Sequence, residues 1–308
     1  MRKGTKIPFG LTCALVFGTL LTRQADRRTQ SIDTAPEVER LQIARIRSFS
    51  PARKFASVRS WTHTITSANL HAMHSGITEP NERDIAVRFI RREYGKALAA
   101  DFQAAVEQRP EWTIQEHDLQ VAMIPVIEAL ERLDLRYYLS GSIACSIYGL
   151  PRGAQDIDIV VDIQAEHVSL LVKHLRGAYI VNEQSCYDAI AQLNAFSLLH
   201  LSSLVKVDLI LPHDTSFDSL VSQRAQQLSL IEEYQPIWII SPEDVVLMRL
   251  EWYRCCEATA DDQWNDILGV LKVQAPTLDL KYLRHVAQIL NVSDLLEQAL
   301  VDAGLQTH

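Results

Sequence analysis

The segment from Tyr137 to Ile163, YYLSGSIACSIYGLPRGAQDIDIVVDI, constrains this chain most. A β-type run over Tyr137–Leu139 reaches Ser140, and Gly141-Ser142 turns the chain into a short helical stretch that ends near Tyr148. Gly149-Leu150-Pro151-Arg152 turns it again, and a second β-type run opens with Asp156-Ile157-Asp158. In a strand, residues i and i+2 point to one face, so both carboxylates project together. Two anions that close are costly without a cation, and hard divalent ions such as Mg²⁺ take oxygen ligands. The Gly-Ser turn at a helix start offers free backbone N–H groups, a cradle for phosphate. A third acid, Asp208, stands in the run Val205-Lys206-Val207-Asp208-Leu209. If that run pairs beside the first, three carboxylates meet at one site.

The rest of the chain frames this segment. Helical patterns precede it: one from Thr34, a second from Ser50-Pro51 to about His74, a third opening at Thr78-Glu79-Pro80 and ending by Gly95, and a fourth up to Arg109-Pro110. A longer helix is expected over about Gln115–Leu133, kinked at Pro125. Further β-type runs lie at Ile157–Ile163, Phe196–Leu201, Leu204–Leu211 and Ile237–Ile240, with helices between several of them, which indicates an α/β or α+β domain. From Pro242 onward only helical patterns remain.

Gly141-Ser142, Asp156-x-Asp158 and Asp208 together resemble the DNA polymerase β-type nucleotidyltransferase superfamily. The nearer likeness is to its small bacterial branch, the AbiE-like abortive-infection toxins and minimal nucleotidyltransferases. Arg152, the segment Pro242–Arg254 and the segment Trp264–Lys272 also resemble that branch, so the likeness spans about residues 116–304. It implies an α+β nucleotidyltransferase fold: a mixed β-sheet flanked by helices, a helical C-terminal bundle and a separate all-helical N-terminal region. The corresponding division is 1–33 as a disordered or misassigned start, 34–112 as the helical region, 116–241 as the core and 242–308 as its C-terminal helical part.

The resemblance also implies roles. Asp156, Asp158 and Asp208 would be the catalytic and metal-binding carboxylates, holding Mg²⁺ or Mn²⁺. Gly141, Ser142, Arg152, Lys206 and Arg249 would contact a nucleoside triphosphate such as ATP. Two positions depart from the branch. Arg249 replaces a helical lysine, keeping the charge but unable to serve as a base. Gln263 replaces the first acid of a later Asp-x-x-Asp pattern that ends at Asp266, with Asp262 beside it. Two readings follow. One is a metal-dependent enzyme moving a nucleoside monophosphate to a hydroxyl of RNA such as tRNA, of protein or of a small molecule, in a toxin–antitoxin or phage-defence setting. The other is a catalytically inactive nucleotide- or partner-binding module, for instance one that holds an antitoxin. Neither reads DNA.

Composition limits the alternatives. Five cysteines form no Cys-x-x-Cys pair and no Cys/His cluster, which argues against structural zinc and a disulfide framework. The net charge of −8 is uneven, with residues 1–112 carrying +7 and the remainder −15. An apolar stretch from Ile7 to Leu21, preceded by Arg2, Lys3 and Lys6, is short for a membrane span. The expectation is a cytoplasmic protein without stable membrane association. Asp162 lies four residues beyond Asp158, too far along the strand to share an ion. His71 and His74 read as surface histidines, Trp252 and Tyr253 as core packing, and Cys255-Cys256 as partly buried.

Overall fold

In the computed structural model, residues 29, 34–74, 81–213, 216–255 and 261–305 are described. The apolar stretch at Ile7–Leu21, the start expected at 1–33 apart from residue 29, the helix opening at 78–80 and Cys256 lie outside them. Among the described residues the first four helices are α1 (Pro36–Arg47), α2 (Pro51–His74), α3 (Glu82–Glu93) and α4 (Lys96–Glu107). Asn81 caps α3 by accepting the Arg83 N–H at 3.0 Å. Then follow α5 (Leu119–Arg132), β1 (Tyr137–Leu139), α6 (Gly141–Tyr148), β2 (Asp156–Val161), α7 (Ala165–Leu175), β3 (Tyr179–Ile180), α8 (Glu183–Gln192), β4 (Ala195–His200) and β5 (Lys206–Ile210). The chain continues through α9 (Ser216–Arg224), β6 (Gln226–Leu228), β7 (Ile237–Ile239) and the helices α10 (Pro242–Cys255), α11 (Asp261–Gln274), α12 (Leu280–Ile289) and α13 (Ser293–Asp302). Helix α5 runs unbroken past Pro125, starting at its cap Asp118 rather than at Gln115.

The fold is α+β, built on one mixed seven-stranded sheet in the order β3-β4-β5-β2-β1-β7-β6. β2 pairs in parallel with β5 and antiparallel with β1, so it lies at the centre. The expected strands all form, with ends shifted by up to two residues. The sheet's two edges, β3 and β6, carry no strand signal in the sequence. β3 has only two residues, and Gln226-Gln227-Leu228 shows no apolar alternation. Edge strands need no apolar pattern on both faces.

Alternation in the two central strands sets up the site. In β2, Ile157 and Ile159 are buried while Asp156 and Asp158 are only half-buried. In β5, Val207 and Leu209 are buried and Lys206 and Asp208 are half-buried. Apolar residues thus secure one face of each strand in the core, which commits the intervening charged residues to the other.

The front helices pack directly on this sheet. Phe55 and Val58 of α2 belong to the main core cluster, as do Ile143 of α6 and Ile157 of β2. Residues of α3 and α4, among them Phe89, Ile90, Phe102 and Val106, form a second cluster with Leu199, Leu201 and Leu204. At the other end, Glu39 of α1 holds Lys272 of α11 through both carboxylate oxygens, at 3.0 and 3.1 Å. Among the described residues no helix is long and apolar enough to cross a membrane.

Candidate active site

The parallel register of β2 and β5 places Asp156 opposite Lys206 and Asp158 opposite Asp208. Three side chains read as ligands from sequence therefore meet: one carboxylate oxygen each from Asp156, Asp158 and Asp208 lies within 4.8 Å of the others. Among the described residues they form the one convergent group of potential metal ligands. Lys206 sits among them, its Nζ 2.6 Å from Asp208 Oδ2 and 3.3 Å from Asp156 Oδ2. On the neighbouring antiparallel strand Ser197 faces Asp208, and its hydroxyl donates to Asp208 Oδ1 at 2.6 Å. Ser197 carries no sequence signal, because only the β4–β5 register brings it there.

The electrostatics follow from this crowding. Burial, then the charges of Asp156 and Asp208, push the Asp158 carboxyl up to about 7. Burial works against the Lys206 ammonium, but its hydrogen bond and attraction to Asp208 and the field of Asp156 outweigh it and hold the group above its ordinary range. Asp158 is thus the member of the cluster whose charge is least compensated, since Lys206 pairs with Asp156 and Asp208.

Gly141 and Ser142 open α6 beside these acids. Gly141 adopts φ +61°, a left-handed backbone that glycine tolerates best. A Cβ built there would lie 1.7 Å from Asp158 Oδ2, so only glycine lets the turn approach the carboxylate. No side chain caps the start of α6, and the Ser142 hydroxyl is buried without a hydrogen-bond partner. An orphaned buried hydroxyl costs free energy and so points to an absent partner.

Arg152 and Arg249 are both tied to Asp266 on α11. Arg152 makes a two-pronged pair with its carboxylate, Nε and Nη2 each at 2.7 Å. Arg249 Nη2 lies 3.6 Å from the same carboxylate, and its Nε donates to Cys145 Sγ at 3.3 Å. Arg249 is also near enough to Asp158 to favour its ionised form. Cys145, Arg152, Asp262 and Asp266 line a cavity of about 220 Å³ between α6 and α11.

The remaining candidates fall elsewhere. Asp162 lies at the far end of β2, accepting from Gln164 Nε2 at 3.1 Å and bordering a separate cavity with Arg136 and His167. His74 bonds to the Leu70 carbonyl of its own helix. The expectation of core packing holds for Tyr253, whose ring lies 5.0 Å from that of Trp264, but not for Trp252, which is 58% exposed. Cys255 is likewise exposed rather than partly buried. On a helix packed only along one side, these positions fall on the outer face.

No protein-family model matches the chain, and no curated protein matches it. Among solved structures it is similar to an antigenic nucleotidyltransferase-like protein from Paracoccidioides brasiliensis, at 16% identity and a TM-score of 0.35, over 57% of this chain and 90% of that one. It is also similar to the antibiotic-resistance factor ANT(2'')-Ia, at 14% identity and a TM-score of 0.37, over 58% of this chain and 95% of the other.

Proposed function

We propose that this protein is a Mg²⁺-dependent nucleotidyltransferase that moves a nucleoside monophosphate from a nucleoside triphosphate to a hydroxyl acceptor. The carrying observation is the convergence of Asp156, Asp158 and Asp208 beside a glycine turn whose serine hydroxyl has no partner. The donor set fits a hard divalent ion, since all its ligand atoms are carboxylate oxygens. A bound ion supplies Lewis-acid chemistry, acidifying the attacking hydroxyl and screening the triphosphate charge. Asp156, Asp158 and Asp208 hold it in this reading. Gly141 lets the turn lie directly against Asp158, and Ser142 donates its unpaired hydroxyl to phosphate. Asp208, oriented by Ser197, accepts the acceptor hydroxyl's proton as the oxygen attacks phosphorus and pyrophosphate leaves. Arg152 and Arg249 keep positive charge beside the cleft, and Lys206 balances the acids. The motif resemblance supports assignment to the small bacterial branch and, through it, a toxin–antitoxin or phage-defence setting in the cytoplasm, with residues 116–308 as the catalytic unit.

A second reading, an inactive nucleotide- or partner-binding module, is favoured by one observation. The Lys206 ammonium already bridges Asp156 and Asp208, in the position of a counter-ion. The two readings separate on Asp208→Asn, which preserves shape and removes one charge. Purified protein is incubated with labelled triphosphates, Mg²⁺ and a lysate, and label is sought in RNA, protein and small molecules. The enzyme reading expects metal-dependent transfer in the wild type and a loss of at least about a hundredfold in Asp208→Asn, the scale of lost electrostatic stabilisation. Absence of transfer with every triphosphate, alongside intact triphosphate binding, would establish the binding module instead.

A further inference from the structure

The front helices supply no ligand to the carboxylates, yet they touch the residues that lead into them. At the corner between α3 and α4, the Tyr94 hydroxyl donates to the Gln155 carbonyl at 3.0 Å. Gln155 immediately precedes Asp156, and its side-chain Nε2 donates to Glu93 Oε2 at 3.0 Å. One residue earlier, the Ala154 N–H donates to Thr62 Oγ1 of α2 at 2.9 Å. At Gly153, an added Cβ would lie 2.9 Å from Ile65 Cδ1 of the same helix. Residues 153–155 precede the β2 ladder, which begins at Asp156, so sheet pairing does not hold them. The Lys206 ammonium, already bridging Asp156 and Asp208, lies 5.6 Å from the centre of the Tyr94 ring, within cation–π range.

We propose that Tyr94 is a positioning residue of the carboxylate site, and that the front helices act as an outside brace on the start of β2. Through Gln155, Tyr94 fixes where the strand begins, and hence where Asp156 and Asp158 point. Through its ring it fixes the lysine between Asp156 and Asp208. Burial, reinforced by the charge of Asp156, pushes the Tyr94 phenol up, so it remains a hydrogen-bond donor across the physiological range. Groups that orient metal ligands without touching the ion typically change metal affinity ten- to hundredfold when removed. The proposal rests on the metal reading of the carboxylates.

The test uses the full chain as wild type, Tyr94→Phe, Tyr94→Leu and Asp158→Asn. Mn²⁺ affinity is measured by calorimetry, and amide hydrogen exchange is followed over peptides spanning residues 153–158. Tyr94→Leu is expected to weaken Mn²⁺ binding ten- to hundredfold and to speed exchange over 153–158 while the edge strands are unchanged. Tyr94→Phe keeps the ring near Lys206 but loses the Gln155 bond, so it is expected to speed the same exchange with a smaller loss of affinity. Should Tyr94→Leu fail to fold, Tyr94→Phe decides on both readouts. Wild-type Mn²⁺ affinity in folded Tyr94 variants overturns the positioning role, whatever the exchange shows. A wild type that binds no Mn²⁺, like Asp158→Asn, overturns the metal reading of the site. In that case faster exchange in Tyr94→Phe still supports the brace, and unchanged exchange overturns it too.

Discussion

The central strands and the front helices approach the same few ångströms of the molecule by different means. β2 and β5 deliver charged groups there through backbone register, which fixes the side chains of both strands at once. The helices deliver isolated contacts, a hydroxyl from Tyr94 and another from Thr62, to the loop that precedes β2. Register is a property of a repeating pattern, whereas a single hydroxyl contact depends on how two distant elements happen to pack. On the proposed function, loss of chemistry therefore belongs to substitutions in the strands and their turn. Loss of alignment belongs to the helices.

Gly141→Val is the strongest way to break that division. The added side chain would collide with Asp158 Oδ2 and occupy a backbone with φ +61°, which β-branched residues strongly disfavour. Asp158 must then move, and the turn loses the shape that the proposed phosphate contact needs. Triphosphate and Mn²⁺ affinities measured by calorimetry are expected to fall together, each by about a hundredfold or more, the equivalent of roughly 3 kcal/mol. Wild-type values for both would move the site away from this turn.

The same contrast governs what could be read from the chain before folding. Asp156 and Asp158 were legible because the two-residue strand period is local, and Asp208 because Lys206-Val207-Asp208-Leu209 repeats the same alternation. The pairing that makes Asp208 the neighbour of Asp158 is a register 50 positions apart, inferable only from the family resemblance. Ser197 and Tyr94 left no trace. Glu93-Tyr94-Gly95 reads as the end of a helix, and nothing in it announces a bond to Gln155, 61 positions later. Trp252 is exposed for a related reason: its aromatic ring suggests burial, but the helix's contact face is set by its tertiary neighbours.

Acid probes the junction between the two regions. His117 lies just before α5, is buried, donates from Nδ1 to the Ser203 carbonyl at 2.7 Å and meets the Phe89 ring of α3 edge-on. Burial pushes its pKa down to about 4, with His63 adding to the effect and the Ser203 bond and Asp118 opposing it. The folded state thus keeps this imidazole neutral where the unfolded chain, near 6.5, takes up a proton. Stability is full above about 6.5 and is lost as pH falls towards 4, by up to about 3 kcal/mol from this group. Urea unfolding at pH 7 and 4.5 is expected to show a smaller acid-induced loss in His117→Gln, which retains a donor but does not titrate. Equal losses in both proteins would mean that another group at the junction takes the proton.

Ser142→Ala gives the smallest effect and the finest distinction, because a functional hydroxyl and a structural one differ there in sign. A hydroxyl that holds the fold together has a partner, and its removal destabilises. The Ser142 hydroxyl is buried with no partner, so removing it relieves a desolvated polar atom. The variant is expected to be as stable as the wild type or more so, by up to about 1 kcal/mol. Triphosphate affinity should move the opposite way, weakening by about tenfold, as for one hydrogen bond to a charged group. Thermal unfolding and calorimetry on the same two proteins read both quantities. A variant that is destabilised but binds triphosphate normally would make Ser142 part of the packing of α6. Opposite movement of the two would mark its hydroxyl as held in reserve for phosphate, at a cost to the fold that the strands and front helices together can bear.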